Sequence, residues 1–471
     1  MENITKRELI KRVLILSIPA ILAEISSVIM QYIDAAMVGS MGANATAAIG
    51  LVTTSTWLIG GLCIGTASGF SVQVSQWIGA GKEAEARDVL RQSLIVSLFI
   101  SSFFCVLGIL ISNPLPAWLG GASEIHKDAT IYFLIFACTL PVKQMRYLAG
   151  SMLQCSGDMK TPSILNAAMC GMDVIFNWIF IFPSSTFVIG SVEIPVYGAG
   201  MGVAGAALGT AVSEVIVAVL MLWVVVFRSE RLRLVHRRNK SVADTEHVYE
   251  ESWKLRRKCL TTAAKIAIPM VFEHTVMCGA QVTATRIVAP LGTTSVAANS
   301  LAVTAEGLCY MPGYRISSAA TTLVGQSIGA GNKKLARRYA RISVLLGVLF
   351  MSSASVLMYI LAPWIFAMMT GDVAVRELGT MVLRIEAFAE PLYAVSIVTV
   401  GALRGAGDTL VPSILNLFSM WGVRIVAAAL LAPHLGLAGV WIAMCAELCV
   451  RGVLFLIRLL REKWLEGGAL V

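Results

Sequence analysis

Apolar runs of roughly 20 residues recur along the chain, separated by short polar or glycine-rich segments. Each is long enough to cross a ~30 Å hydrocarbon core as a helix, which satisfies its own backbone hydrogen bonds. About twelve such runs are read near residues 13–38, 47–73, 93–117, 128–153, 162–183, 200–227, 262–288, 296–325, 343–369, 378–402, 411–433 and 437–460. The pattern predicts an all-α membrane protein of about twelve transmembrane helices.

The pattern is written twice. "SMLQCSGDMKTPSILN" from Ser151 and "GALRGAGDTLVPSILN" from Gly401 share Leu, Gly, Asp, Pro, Ser, Ile, Leu and Asn at an offset of 250 residues. The same offset aligns "QWIGAGKEAEAR" from Gln76 with "QSIGAGNKKLAR" from Gln326, and pairs Pro19 with Pro269 and Gly42 with Gly292. Gly202 and Gly205 match Gly436 and Gly439 instead, so the first half carries 16 extra residues, expected in the loop "PSSTFVIGSVEIPVYGAG". The expected organisation is two six-helix lobes. An N-lobe with spans 1–6 covers 1–228, a basic cytoplasmic linker covers 229–258, and a C-lobe with spans 7–12 covers 259–471. Six spans return the chain to its starting side, so the halves point the same way. Duplicated transporters usually bind substrate between their halves.

Composition agrees. Charged residues are 14% and hydrophobic residues 57%, where a soluble domain carries about 25% charged. The net charge of +9 is no nucleic-acid signal, because Lys and Arg collect in alternate loops. They cluster at Lys6–Arg12, Lys82–Arg91, 228–258, Lys333–Arg341 and Arg458–Lys463, whereas 39–46, 184–199 and 289–295 have none. By the positive-inside rule both termini are cytoplasmic, in a plasma or bacterial inner membrane. The first span is too long for a cleavable leader. The ten cysteines show no metal-ligand spacing and read as packing residues.

Motif lookalikes do not carry chemistry. Gly200-x-Gly202-x-x-Gly205 opens a membrane helix with no preceding strand, so it reads as close helix packing. "WIGAGKEAEA" lacks the glycine spacing and the Ser or Thr of a phosphate loop, and reads as a short cytoplasmic helix between spans. No catalytic triad or metal constellation appears, so the chain is expected to be no enzyme, to need no cofactor and to bind no nucleotide.

Acids inside spans are the informative set, since each costs about 2.5–3.5 kcal/mol at mid-membrane. Asp34 lies late in span one and Asp173 midway through span five, with Asn177 one turn further on the same face. Glu24, Glu214, Glu273, Glu306, Glu390 and Glu447 are the other deep acids. Glu24, Glu214 and Glu447 read as structural, satisfying neighbouring helices or pairing with Arg424. Lys143, Arg146, Arg286, Arg315 and Arg384 read as snorkelling near helix ends.

"YIDAAMVGSMG", the paired "IGAG" loops, "LQCSGDMKTP", "LRGAGDT" and "NWIFIF" together resemble the multidrug and toxic compound extrusion (MATE) transporters over nearly the whole chain. The resemblance implies two six-helix lobes around a V-shaped cleft and export of organic cations driven by H⁺ or Na⁺ entry. The family's first-helix aspartate falls on Asp34, and its bend-associated proline on Pro19. On span five, members often carry Asn then Asp one turn apart, whereas here Asp173 precedes Asn177. Glu273 and Glu390 each stand about one turn from acids that some members use on spans seven and ten. Asp34, Asp173, Asn177, Glu273 and Glu390 are therefore the candidate ion-coupling and substrate-binding residues, with Na⁺ a candidate ligand of the first three.

Two facing carboxylates in a dry site share a proton more readily than both ionise, whereas a bound cation favours the doubly ionised form. Mutual exclusion of proton and cargo is enough for antiport. The partners expected are a small organic cation and membrane lipid, without nucleic acid. The alternative is a lipid or oligosaccharide-lipid flippase of related architecture, whose phosphate site would begin from Arg424, Arg146 and Lys143.

Overall fold

The computed structural model describes residues 5–189, 192–234 and 254–466. The first half contains α1 (Lys6–Ser40), α2 (Ala43–Gly79), α3 (Glu83–Ile111), the short α4 (Leu115–Trp118), α5 (His126–Ser156), α6 (Lys160–Ile181) and α7 (Val203–Trp223). The second half contains α8 (Arg257–Val288), α9 (Thr293–Gly329), α10 (Lys333–Met369), α11 (Val373–Ala387), α12 (Glu390–Gly405), α13 (Leu410–Leu417) and α14 (Val426–Arg461). Most of the expected basic linker, 235–253, lies outside the described residues.

Eight of these segments are long and apolar enough to span a membrane by length and composition. Three differences separate that count from the twelve passes. Helices α8 and α9 have the length but carry more polar residues. Pro391, near the start of α12, splits one pass into α11 and α12, whereas its repeat mate Pro141 stays inside the continuous α5. The stretch 410–461 holds two passes, because α14 breaks at Gly436, whose φ of 59° and ψ of −140° only glycine adopts freely.

The 16 extra residues have a definite form. They lie in an antiparallel hairpin, β1 (Pro183–Ile189) and β2 (Val192–Ala199), between α6 and α7. The "IGAG" segments form no separate linking helix. Each ends a long helix, and after a turn of three residues the next span starts directly at Glu83 or Lys333. Asn332 caps α10 by accepting from the Leu335 amide at 2.9 Å.

The chain forms two compact units. One comprises Leu22–Val74 and Glu83–Leu260, the other Met1–Ile21, Ser75–Lys82 and Thr261–Val471. Helix α1 changes unit between Ile21 and Leu22, two residues after the helix-interior Pro19. Pro19 removes one backbone hydrogen bond there.

Small residues set the closest helix contacts in both units, as in other membrane bundles. In the first-half unit, Gly205 and Gly209 of α7 lie on α6, where an added Cβ at either would overlap Phe180 or Asn177. In the second-half unit, Gly401 and Gly405 of α12 lie against Ser317 and Thr321 of α9. Those two hydroxyls donate to the Ile397 and Gly401 carbonyls, each at 2.8 Å. The surfaces stay apolar: Phe99, Phe103 and Leu110 of α3, and Ile360, Trp364 and Met368 of α10, are all exposed. Lipid, not water, suits such faces. The protein is a multi-pass membrane protein.

Candidate functional site

Helix α6 buries Cys170, Asp173, Asn177 and Ile181, whose spacings of three, four and four put them on one face. Gly209 lets α7 approach so closely that its α-carbon side lies against the Asn177 amide. This pins the Asn177 side chain. Its Nδ2 donates to Asp34 Oδ1 of α1 at 2.9 Å and to Asp173 Oδ2 at 3.0 Å. One amide thus joins two carboxylates, and both of its protons are used.

Asp173 is 1% exposed and Asn177 2%, while Asp34 is half-buried. Asp173 Oδ1 and Asn177 Oδ1 are buried without a hydrogen-bond partner among the described residues. Among those residues, neither Asp34 nor Asp173 accepts from Lys or Arg. Buried polar atoms normally find partners, so acceptors left over here are what a transient proton or cation needs. Thr210 of α7 lies beside Asp173.

The other candidates stand elsewhere, in the second-half unit. Glu273 of α8 is held by Arg404 Nη2 at 3.2 Å, Ser413 Oγ at 2.8 Å and Asn416 Nδ2 at 2.6 Å. A permanent cation and two neutral donors satisfy it. Breaking such a pair from one side is expensive, so Arg404→Met is expected to destabilise the protein by about 3–5 kcal/mol. Glu273→Gln, which keeps Ser413 and Asn416 in contact, should cost less. Thermal unfolding of the purified chain in detergent reads both, and equal melting of Arg404→Met and wild type would contradict this assignment.

Glu390, the first residue of α12, is fully buried, with the Cys309 thiol of α9 beside it and neither oxygen in a regular hydrogen bond among the described residues. Glu386, one turn earlier at the end of α11, is equally buried, and its oxygens are equally short of partners. Glu306 of α9 is a third buried acid of this unit. Sequence reasoning missed Glu386, although two acids four residues apart inside one span were a visible signal. It also missed Arg404 as the partner of Glu273, and Thr210.

Of the acids read as structural, Glu214 satisfies a neighbouring helix, and neither it nor Glu447 pairs with Arg424. Glu214 binds Arg146 Nε at 2.6 Å and Nη2 at 3.2 Å, with Lys143 Nζ at 3.7 Å. Glu447 binds Arg451 at 2.9 Å and accepts from Ser419 Oγ. Arg424 partners neither and rests against Met420 and Met444. Arg146 does not snorkel outward, being 8% exposed and also bonded to Asn166 at 3.1 Å. Its fork fits a carboxylate in the interior better than a lone ammonium would.

The family described as MatE matches residues 19–179 and 269–430. The chain belongs to the MatE family. The two matched stretches begin 250 residues apart, the offset of the internal repeat. Among curated relatives, a probable multidrug resistance protein NorM of Thermotoga maritima is 25% identical over 467 residues, covering 99% of this chain and 94% of that protein. A probable NorM of Xanthomonas axonopodis pv. citri is 28% identical over 455 residues, covering 94% and 92%. Two solved structures share the fold of this MatE protein. A MOP superfamily transporter from Pyrococcus furiosus superposes with a TM-score of 0.86 at 18% identity, covering 99% of this chain and 100% of that one. A Vibrio cholerae MATE transporter, VcmN, gives 0.86 at 18%, covering 99% of each. The architecture is therefore the twelve-helix, internally repeated MATE fold, and the MatE protein is a transporter, not an enzyme.

Proposed function

We propose that this MatE transporter is a multidrug exporter that expels organic cations in exchange for H⁺ or Na⁺ by alternating access. It works across the plasma or bacterial inner membrane, with both termini in the cytoplasm. The observation that carries the reading is the Asp34–Asn177–Asp173 cluster, two carboxylates bridged by one amide and bonded to no Lys or Arg among the described residues. Cargo and coupling ion compete for these acids. Protonated, or holding Na⁺, the cluster releases a bound cation outward. Inward-facing, it loses that ion and receives the next cargo. The names of the NorM relatives support small-molecule drugs as cargo. The buried acids Glu386 and Glu390 are a second place for a coupling ion, whereas Glu273 serves the fold through Arg404. The flippase reading loses support, because Arg146 is already held by Glu214 through two hydrogen bonds and Lys143 stands only 3.7 Å from the same carboxylate.

The test is efflux of ethidium from proteoliposomes, driven separately by a pH gradient and by a Na⁺ gradient. Saturable export under one gradient is expected. Absence of ethidium movement under both gradients would defeat the proposal.

A further inference from the structure

A small cavity of about 30 Å³ lies between α5 and α7, walled by Tyr132, Phe136, Thr139, Lys143, Thr210 and Glu214. Ala207 and Ala211 complete its lining, so apolar faces and polar groups share a space with room for about one water. At one side Thr210 stands beside Asp173. At the other side lies the ion group of Glu214, Arg146 and Lys143.

That group is unbalanced. Glu214 takes two short bonds from Arg146, so its single charge is already answered. The Lys143 ammonium makes a longer ion pair with Glu214 at 3.7 Å and lies over Phe136, 4.9 Å from its ring centre. It is a surplus cation on a flexible four-carbon stem. Beyond Thr210, outside the cavity's own lining, stands the opposite imbalance, two carboxylates bonded to no Lys or Arg among the described residues. A monovalent ion neutralises only one of them, and once the coupling ion has left and before cargo arrives a dry interior would hold both charges exposed to each other. Bringing a unit charge to within a few ångströms is worth several times RT even at an effective dielectric of ~20.

We propose that Lys143 is a tethered counter-cation for the Asp34–Asp173 pair. When neither cargo nor coupling ion is bound, its ammonium moves from Glu214 to the carboxylates; an arriving organic cation or coupling ion displaces it back. The pair thus keeps a counter-charge in its empty state, and coupling ion and cargo each compete with the ammonium. This rests on the reading of Asp34 and Asp173 as the cation site.

The experiment measures equilibrium binding of ethidium to the purified full-length chain by fluorescence. Removing an internal competitor must strengthen binding, so Lys143→Gln is expected to tighten ethidium about tenfold, equivalent to about 1.4 kcal/mol. Lys143→Arg, which keeps the charge, should bind within about twofold of wild type. In an Asp34→Asn background the tightening should disappear, because a coupling energy exists only while both partners do. Arg146 continues to satisfy Glu214 in every variant, and Lys143→Met serves in the same role should the Gln variant not accumulate. Unchanged or weaker binding by folded Lys143→Gln or Lys143→Met overturns this inference alone. Failure of the wild type to bind ethidium, or no weakening by Asp34→Asn, overturns the site reading beneath it.

Discussion

Asp34→Asn is expected to abolish gradient-driven export while leaving the protein inserted and folded. Asparagine keeps the shape of the side chain, and its carbonyl can still accept from Asn177 Nδ2, as Asp34 Oδ1 does at 2.9 Å. What disappears is the charge that proton and cargo compete for. For a one-to-one exchange of a proton for a monovalent cation, the membrane potential cancels and each pH unit supplies about 1.4 kcal/mol, a roughly tenfold concentration ratio. With a gradient of one unit, wild-type vesicles should approach that ratio, and Asp34→Asn vesicles should stay near unity. The measurement is steady-state ethidium distribution in proteoliposomes, with thermal unfolding as the check on folding. A mutant that still drives uphill export to the wild-type ratio removes Asp34 from the coupling. Under Na⁺ coupling the same loss is expected with the Na⁺ gradient in place of the pH gradient.

A large loss of stability is expected from Gly329→Ala. A methyl group at Gly329 of α9 would overlap the Gln76 carbonyl oxygen of α2 and stand 2.6 Å from its carbon. The repeat makes the contact reciprocal, since a Cβ at Gly79 would overlap the Gln326 carbonyl in the same way. Both obstacles are backbone, so no rotamer change relieves them. Overpacking a core usually costs about 1–3 kcal/mol, and this case should sit at or above the upper end. Gly307→Ala, on the same helix, is the control. Nothing lies within 4 Å of the position its methyl group would take, and alanine favours the helix by about 1 kcal/mol. Thermal unfolding in detergent should therefore rank Gly307→Ala at or above wild type and Gly329→Ala far below. Similar melting of the two variants would show that α2 and α9 are not in backbone contact there.

The reasons for these two outcomes were unequally visible beforehand. The isolation of Asp34 could be read from "SSVIMQYIDAAMVGSMG", because a lone acid in an apolar run carries an insertion cost whatever the fold. The Asp173–Asn177 face was equally visible, because four-residue spacing puts side chains together on any helix. The repeated "IGAG" was visible as a repeat, but not as two glycines receiving each other's carbonyls. That contact joins residues about 250 positions apart, and no local property encodes it. Likewise Glu273 looked like Glu390 in sequence, each an acid midway along an apolar span. One proved to be held by Arg404 from another helix, while the other is buried near Glu386 with no ion-pair partner among the described residues.

By itself, then, the amino-acid order determined the spans, the duplication, the membrane setting and the acids worth examining. These follow from hydrophobic length, from periodicity and from the cost of charge in lipid, which act residue by residue. Tertiary structure alone decided which acid has a partner: Glu214 with Arg146, Glu273 with Arg404, Asp34 and Asp173 with one shared amide. An ion pair is made by helices meeting in space, and the sequence distance between its members carries no trace of that meeting.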